Sequence, residues 1–599
     1  MKPLVALFLV VVPATAAQSV RYEVSIPDPD ARMFHVKAEF PVAGKDTLYV
    51  SLPAWSPGAY EIQNYARYVR HFAARAAGGA SGEKNALFWD RLDKDTWRVV
   101  TGRAPRVNVE FDYLADTIDL SLARIADEFG QFLGTNLFLF EEGQLNRPAE
   151  VRFVLPQGWR VTTALRGRGP YTAADYHELA DAMTFVGKYA LDSVRLDGRW
   201  IRLAVWPQDA YSPTVARNLR SSIERMAPVQ NRLMGGPPYD VYTVFFMIVD
   251  PGVPFGGGLE HASSQFDVLP RQAFALAGGQ LGDFVVPLLS HEFFHLWNVK
   301  RIRPAELWPY DYHAEQYTPL LWWSEGVTDY YADLTNLRAG LWTEDRFLEN
   351  VGENMQSVYG APEPWSAEDG SVATWIQEVY VNSSQLYYPE GSLLGFLLDV
   401  SIRDATDNAK SLDDVTRALF TRFYRAGKGF TTTDLLGLLA ETGMPDVQGF
   451  YQRYINGRDD LPYQGVLSKA GLAVRHDTTT DFVLGGTLSL NPQGEIVVER
   501  VAPEGSARTA GLRAGDVLLK MDDIDVRPTQ EAFEAIRNRY RGKGGSPLKF
   551  TVRRGVETLT LSGTVREEPR TSFSVERAGS RTPKQDRIWR GLATGTTGP

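Results

Sequence analysis

Between about Val20 and Ala190 apolar residues recur at every second position in short runs. Val36, Ala38 and Phe40 alternate with Lys37 and Glu39, and Val107, Val109 and Phe111 alternate with Asn108 and Glu110. A period of two buries one face of a strand and wets the other, and frequent Pro and Gly end each run after a few residues. The pattern predicts an antiparallel β domain over residues 18–190. The pattern then changes. Tyr242 to Val249 is one continuous apolar strand, followed by longer segments with helical spacing: Pro287 to Val299, Ser324 to Leu337, Ser392 to Ile402, Ser411 to Tyr424 and Thr433 to Leu439. Ser411 and Thr433 suit helix N-caps, and Gly427 and Gly443 suit helix stops. Residues 191–460 therefore read as an α/β lobe continuing into a helical lobe. Strands return over 461–566: Glu495 to Val501 is one, and a short helix, a Gly515-Asp516 turn and a strand from Val517 follow. From Glu567 onward Arg, Ser, Thr, Gly and Pro dominate, and a loosely ordered tail over 567–599 is expected. The fold class predicted is multidomain α+β.

The segment Ser290-His291-Glu292-Phe293-Phe294-His295 gives this architecture its chemistry. Residues four apart lie on one helix face, so His291 and His295 can aim both imidazoles at one metal ion. Glu292 lies beside them, placed to take a proton from a water at that ion. Phe284, Val285, Val286, Leu288, Leu289, Phe293, Phe294, Leu296 and Trp297 make the segment apolar nearly all round, which describes a buried helix. Two imidazoles and a carboxylate are costly in such a place unless something satisfies them. The expectation is one Zn2+ per chain and hydrolysis of a peptide bond.

Zinc in a catalytic site takes three protein ligands and keeps one position open. A third ligand from the same helix would need Gly at position 298 and His at 301, and the chain has Asn298 and Arg301. Glu325, in Trp322-Trp323-Ser324-Glu325-Gly326-Val327-Thr328-Asp329, is the preferred candidate because a helix holds a ligand more rigidly than a loop does. Asp311, His313 and Glu315 in the intervening loop remain alternatives. Asp329, one turn beyond Glu325, is placed to accept a hydrogen bond from a ligating imidazole.

Composition narrows the setting. The net charge of −10 is spread along 599 residues, which points away from nucleic acid and from anionic membranes. Lys2, the apolar run Leu4 to Val12 and Ala14-Thr15-Ala16 read as a signal peptide over residues 1–17, and no later stretch is long and apolar enough to span a bilayer. There is no Cys. Zinc therefore has no thiolate ligand, and export proceeds without disulfides, to a periplasm or a bacterial exterior.

His291 to Pro304, with Trp322 to Tyr331, resembles the zinc helix and third-ligand helix of the PDZ-containing glycyl aminopeptidase family. These are gluzincin metallopeptidases distantly similar to aminopeptidase N and thermolysin. The resemblance implies a thermolysin-like peptidase domain with a helical C-terminal lobe, and an aminopeptidase preferring an amino-terminal Gly or Ala. Gly256-Gly257-Gly258-Leu259-Glu260-His261 is similar to the strand that such enzymes lay along the substrate. By that resemblance Gly257 and Gly258 face the peptide, Glu260 anchors its α-ammonium, and His261 is a further substrate contact. Tyr387-Tyr388-Pro389-Glu390-Gly391 resembles the family's oxyanion-binding element, with Tyr388 as donor. Pro53 to Tyr60 is similar to another recurrent segment, a rigid turn lining the cleft. Gly505 to Leu519 resembles a bacterial PDZ domain, with Gly485, Gly486, Thr487 and Leu488 as its carboxylate loop for a C-terminal peptide ligand. A PDZ-directed zinc endopeptidase and an inactive envelope peptide-binding protein remain the alternatives.

Overall fold

In a computed structural model the described residues are 18–77, 85–250, 256–361, 365–376, 384, 386–491 and 493–598. The expected signal segment lies outside them. The alternating runs of the amino-terminal part are neighbouring strands. Met33–Pro41 and Arg106–Leu114 pair antiparallel with Val36 opposite Phe111 and Phe40 opposite Val107. Both alternate buried and more exposed positions along their length, so their apolar faces share one core. They belong to a six-stranded sheet whose other members are Tyr171–Ala173, Ala149–Val154, Val20–Ser25 and Val69–Ala76. Val20–Ser25 and Ala149–Val154 pair in parallel, so the domain is not purely antiparallel.

The next sheet positions the chemistry. Its order is Ala190–Leu196, Arg199–Trp206, Val241–Val249, Ser264–Pro270 and Gly257–His261, with the last strand at an edge. Val241–Val249 is buried at every position but its first, as a strand covered on both faces should be. Helices Pro213–Leu233 and Val285–Phe294 pack with this sheet in one large core that also holds the helical lobe.

The helices differ from the sequence expectation at their ends. The helix expected from Pro287 starts at Val285, with Pro287 in the first turn, where its missing N–H breaks no bond. The α-helix proper stops at Phe294, after which Lys300 N donates to His295 O at 3.1 Å and Ile302 N to Trp297 O at 2.6 Å. Ser324 does not begin a helix. Trp322–Gly326 is a π-helical turn running into Val327–Arg338. The helix expected from Thr433 is Thr432–Thr442, capped by Thr431 in a reciprocal box with Asp434. Ser411 stands at the N-cap of its helix, where its N–H donates to Asp414 Oδ2 at 2.9 Å, but its hydroxyl makes no capping bond.

The carboxy-terminal segment overturns the expectation of a loose tail. Glu567–Arg577 pairs along its whole length with Leu472–Phe482, from Leu472 opposite Arg577 to Phe482 opposite Glu567. Pro583–Thr594 is a helix whose Ile588, Trp589 and Leu592 are buried in the peptidase core. Composition hid this because few apolar residues suffice. The Thr582–Gln585 capping box with Pro583 at the first helical position was a readable start signal. Between the paired strands lies a separate small core, formed by residues from Ile496 to Val565.

Candidate metal centre

His291 and His295 project from the buried helix Val285–Phe294 and the residue that ends it. The helix is held from two sides. Gln230 Nε2 donates to Ser290 O at 2.8 Å, and Ser290 Oγ donates to Ala332 O at 3.2 Å. The ring orientations are set by partners that only accept hydrogen bonds. His291 Nδ1 lies 2.7 Å from Asp329 Oδ1, and His295 Nδ1 lies 2.6 Å from the Asn298 carbonyl. Each Nδ1 therefore carries a proton, and in the neutral ring the Nε2 lone pair faces inward. Those two Nε2 atoms face each other at 2.9 Å. Glu325 Oε2 completes the group, 3.6 Å from His291 Nε2 and 3.3 Å from His295 Nε2. Three buried donor atoms, two imidazole nitrogens and a carboxylate oxygen, lie within 4.8 Å of one another, a set that fits a divalent cation.

Asn298 ties the two helices together. Its Nδ2 donates to Trp323 O at 2.8 Å, and Thr328 Oγ1 donates to the Asn298 carbonyl at 3.1 Å. The π turn adds a residue just where Glu325 must be aimed, a use such turns commonly serve. Gly326 is required by packing as well, since a Cβ there would lie 2.3 Å from Tyr387 O and 2.4 Å from Gly391 Cα. The same crossing brings Tyr388, at the start of helix Pro389–Ala405, alongside the imidazoles. Its ring centroid is 6.1 Å from that of His291. Burial pushes the neighbouring Glu390 carboxyl up to about 8.

Glu292 is buried, and its Oε2 has no hydrogen-bond partner. Burial, opposed by His291 and reinforced by Asp267, Glu260 and Glu325, pushes its carboxyl well above the usual carboxylate range. The carboxylate lies against Gly258, where a Cβ would be 2.3 Å from Oε1. Glu260, on the same edge strand, has a donor atom within 4.8 Å of donors of Glu292 and His295. Gly257 lies further out along that strand and is only partly buried. His261 is buried and turned away from the metal ligands, its Nδ1 lying 3.3 Å from Asp181.

The loop alternatives for the third ligand are engaged elsewhere or set apart. His313 lies between Asp95 at 3.3 Å and Glu142 at 3.1 Å, both in the amino-terminal domain. Asp311 bonds within its own loop, accepting from the His313 N–H at 2.9 Å, and neither it nor Glu315 joins the donor group. The long gap between His295 and Glu325 has a structural reason. Its loop is clasped by the amino-terminal domain, with Trp55 Nε1 donating to Asp311 O and Ala54 N to Tyr312 O, both at 2.7 Å.

Some site residues were not anticipated. Tyr60 donates to Glu325 Oε1 at 3.0 Å and is buried. The sequence marked its segment as a turn lining the cleft but gave the phenol no partner. Asp267 sits opposite Gly258 on the neighbouring strand, fully buried, with burial as the main cause of its raised pKa. Its signal was an acid inside an otherwise strand-like segment.

The carboxylate loop of the third region divides in two. Gly485 lies in the turn after Leu472–Phe482, while Gly486, Thr487 and Leu488 open Gly486–Leu490, an edge strand of the small sheet. Helix Gln530–Tyr540 belongs to the same unit.

A model of the peptidase M61 N-terminal domain matches residues 21–188, one of the M61 glycyl aminopeptidase matches 285–394, and one of the PDZ domain matches 472–565. No curated protein matches the chain. Among solved structures, an aminopeptidase N family protein from Idiomarina loihiensis shares the fold at TM-score 0.81 and 23% identity, covering 95% of this chain and 99% of its own. A variant of an M1 zinc metallopeptidase from Deinococcus radiodurans, bound to a Tyr-Ser-Ala substrate, is 14% identical at TM-score 0.46, covering 74% of this chain and 95% of its own. The chain thus carries a peptidase M61 N-terminal domain, an M61 glycyl aminopeptidase domain and a PDZ domain, and is a metallo-aminopeptidase.

Proposed function

We propose that the chain is a zinc aminopeptidase that removes an amino-terminal Gly or Ala from peptides outside the cytoplasm. The observation that carries the metal is the pair of buried Nε2 atoms 2.9 Å apart beside the Glu325 carboxylate. Two imidazoles and one carboxylate, with no thiolate in the chain, form a donor set suited to zinc. The ion would be held by His291, His295 and Glu325 and would supply Lewis acidity to the scissile carbonyl. Glu292 takes a proton from the attacking water and delivers it to the leaving amine. Tyr388 donates to the developing oxyanion. The free edge of Gly257–His261 pairs with the extended substrate, and Glu260 holds its α-ammonium.

The preference for Gly follows the description of the matching family model, and that for Ala follows the family resemblance of the zinc-helix residues. Export rests on Lys2, the apolar run Leu4 to Val12 and the small-residue cleavage site Ala14-Thr15-Ala16. A carboxylate-terminated peptide bound at Gly485 to Leu488 would add a strand to the PDZ edge. The deciding measurement pairs zinc quantification with digestion of one Gly- or Ala-initiated peptide, free and N-acetylated. The expected result is one zinc per chain and cleavage of the free form only. Equal rates on both forms would refute the amino-terminal anchor.

A further inference from the structure

Behind the edge strand lies a buried ion cluster that the hydrolytic steps do not use. Lys300 leaves the turn after the metal helix and is only 2% exposed. Its Nζ donates to Pro57 O at 3.0 Å, lies 3.1 Å from Asp181 Oδ1, and lies 3.7 Å from Glu260 Oε1. Asp181 comes from the amino-terminal domain. It also accepts from Ala262 N at 2.6 Å and lies 3.3 Å from His261 Nδ1. Burial works against the Lys300 ammonium, but Asp181 and then Glu260 outweigh it and hold its pKa above the usual value. Burial likewise works against the Asp181 carboxylate, yet Lys300 and His261 hold its pKa well below the usual range. The ammonium is therefore committed first to Asp181. Glu260 keeps the longer contact, and its buried Oε1 has no hydrogen-bond partner. Gly58 lets the loop close over it, since a Cβ there would sit 2.5 Å from Glu260 Oε2.

We propose that Lys300 and Asp181 are positioning residues that set the charge at Glu260. Two carboxylates share one ammonium, and His261 serves Asp181 alone, so the negative charge of Glu260 is left incompletely balanced at the edge strand. One cation of matching size, the α-ammonium of a substrate, balances it. Lys300 makes burial of Glu260 tolerable, and Asp181 keeps Lys300 from satisfying it. A buried charge left half-paired attracts a partner far more strongly than a surface one. The inference rests on the reading of Glu260 as the amine anchor.

The test is the ratio of kcat/KM for a free peptide to that for its N-acetylated form, with kcat and KM resolved. Asp181→Asn frees Lys300 to neutralise Glu260, and Lys300→Met leaves two carboxylates with no cation between them. Asp181→Asn should lower the ratio about tenfold or more through KM of the free peptide, whereas Lys300→Met, which leaves more negative charge unbalanced, should not lower it. The double variant restores a single unbalanced carboxylate and should recover part of that loss. Circular dichroism and zinc content check folding, and Lys300→Met with the double variant decides the question if Asp181→Asn does not fold. An unchanged ratio in Asp181→Asn, a lowered ratio in Lys300→Met, or a double variant that falls as far as Asp181→Asn would overturn the proposal. Glu260→Ala separates the two levels. If it leaves the ratio intact, the anchor itself is wrong; if it alone collapses the ratio, only the role of Lys300 and Asp181 is wrong.

Discussion

Glu292 follows the metal ligand His291 directly in the chain but answers to different neighbours, so substitutions should separate their roles. Glu292→Gln keeps the shape and leaves His291, His295 and Glu325 untouched. It should retain zinc and lose about 10²–10⁴ in kcat. Full turnover in a zinc-loaded variant would exclude proton transfer by this carboxyl. Asp329→Asn acts one contact further out, through the 2.7 Å hydrogen bond to His291 Nδ1. It should weaken zinc binding about 10–100-fold in a chelator competition, with a smaller effect on kcat once zinc is saturating. At this scale the sequence was informative where chemistry is local. The four-residue spacing of His291 and His295 and the one-turn spacing of Glu325 and Asp329 are visible in the letters. Tyr60, Asp181 and Asp267 were not, because what makes them matter is proximity to residues far away in the chain.

At the scale of elements, the crossing of Gly326 and Gly391 decides where two site residues point. A Cβ at either position would meet the opposing backbone, at 2.3 Å from Tyr387 O or 2.4 Å from Trp322 O. Gly326→Ala must therefore push the π turn and the helix Pro389–Ala405 apart. It should cost about 1–3 kcal/mol or more in denaturant unfolding and lower zinc affinity, since Glu325 moves with the turn. Wild-type stability together with wild-type zinc binding would show that the crossing tolerates a methyl group. Helix existence was legible from periodicity, but the π turn was not. Nothing in Trp322-Trp323-Ser324-Glu325-Gly326 distinguishes five-residue from four-residue hydrogen bonding, and tertiary packing makes that choice. The edge strand was legible only as a glycine-rich stretch, because its partner is assigned by the sheet.

At the scale of the whole molecule, the amino-terminal domain is part of the site. It supplies Tyr60 to Glu325 and Asp181 to Lys300, and it grips the loop between the metal-binding helices. The imidazole of His313 sits on that seam. Hydrogen bonds to Asp95 and Glu142 raise its pKa to about 10. A histidine held above its unfolded pKa of about 6.5 contributes stability that is complete below that value and is lost as pH rises through about 10. The gap in urea midpoint between the wild type and His313→Ala should thus be widest near pH 6.5 and close towards pH 10. A gap independent of pH across that window would remove the charged clip from the account.

The chain passes into the PDZ unit along Leu472–Phe482 and comes back beside itself along Glu567–Arg577, and the returning helix Pro583–Thr594 seats Trp589 in the peptidase core. The PDZ domain is thus a guest inside the peptidase and not a pendant at its end. A ribosome must finish the guest before the host can close its own core, and deleting the guest cleanly means rejoining two strand ends that already lie side by side.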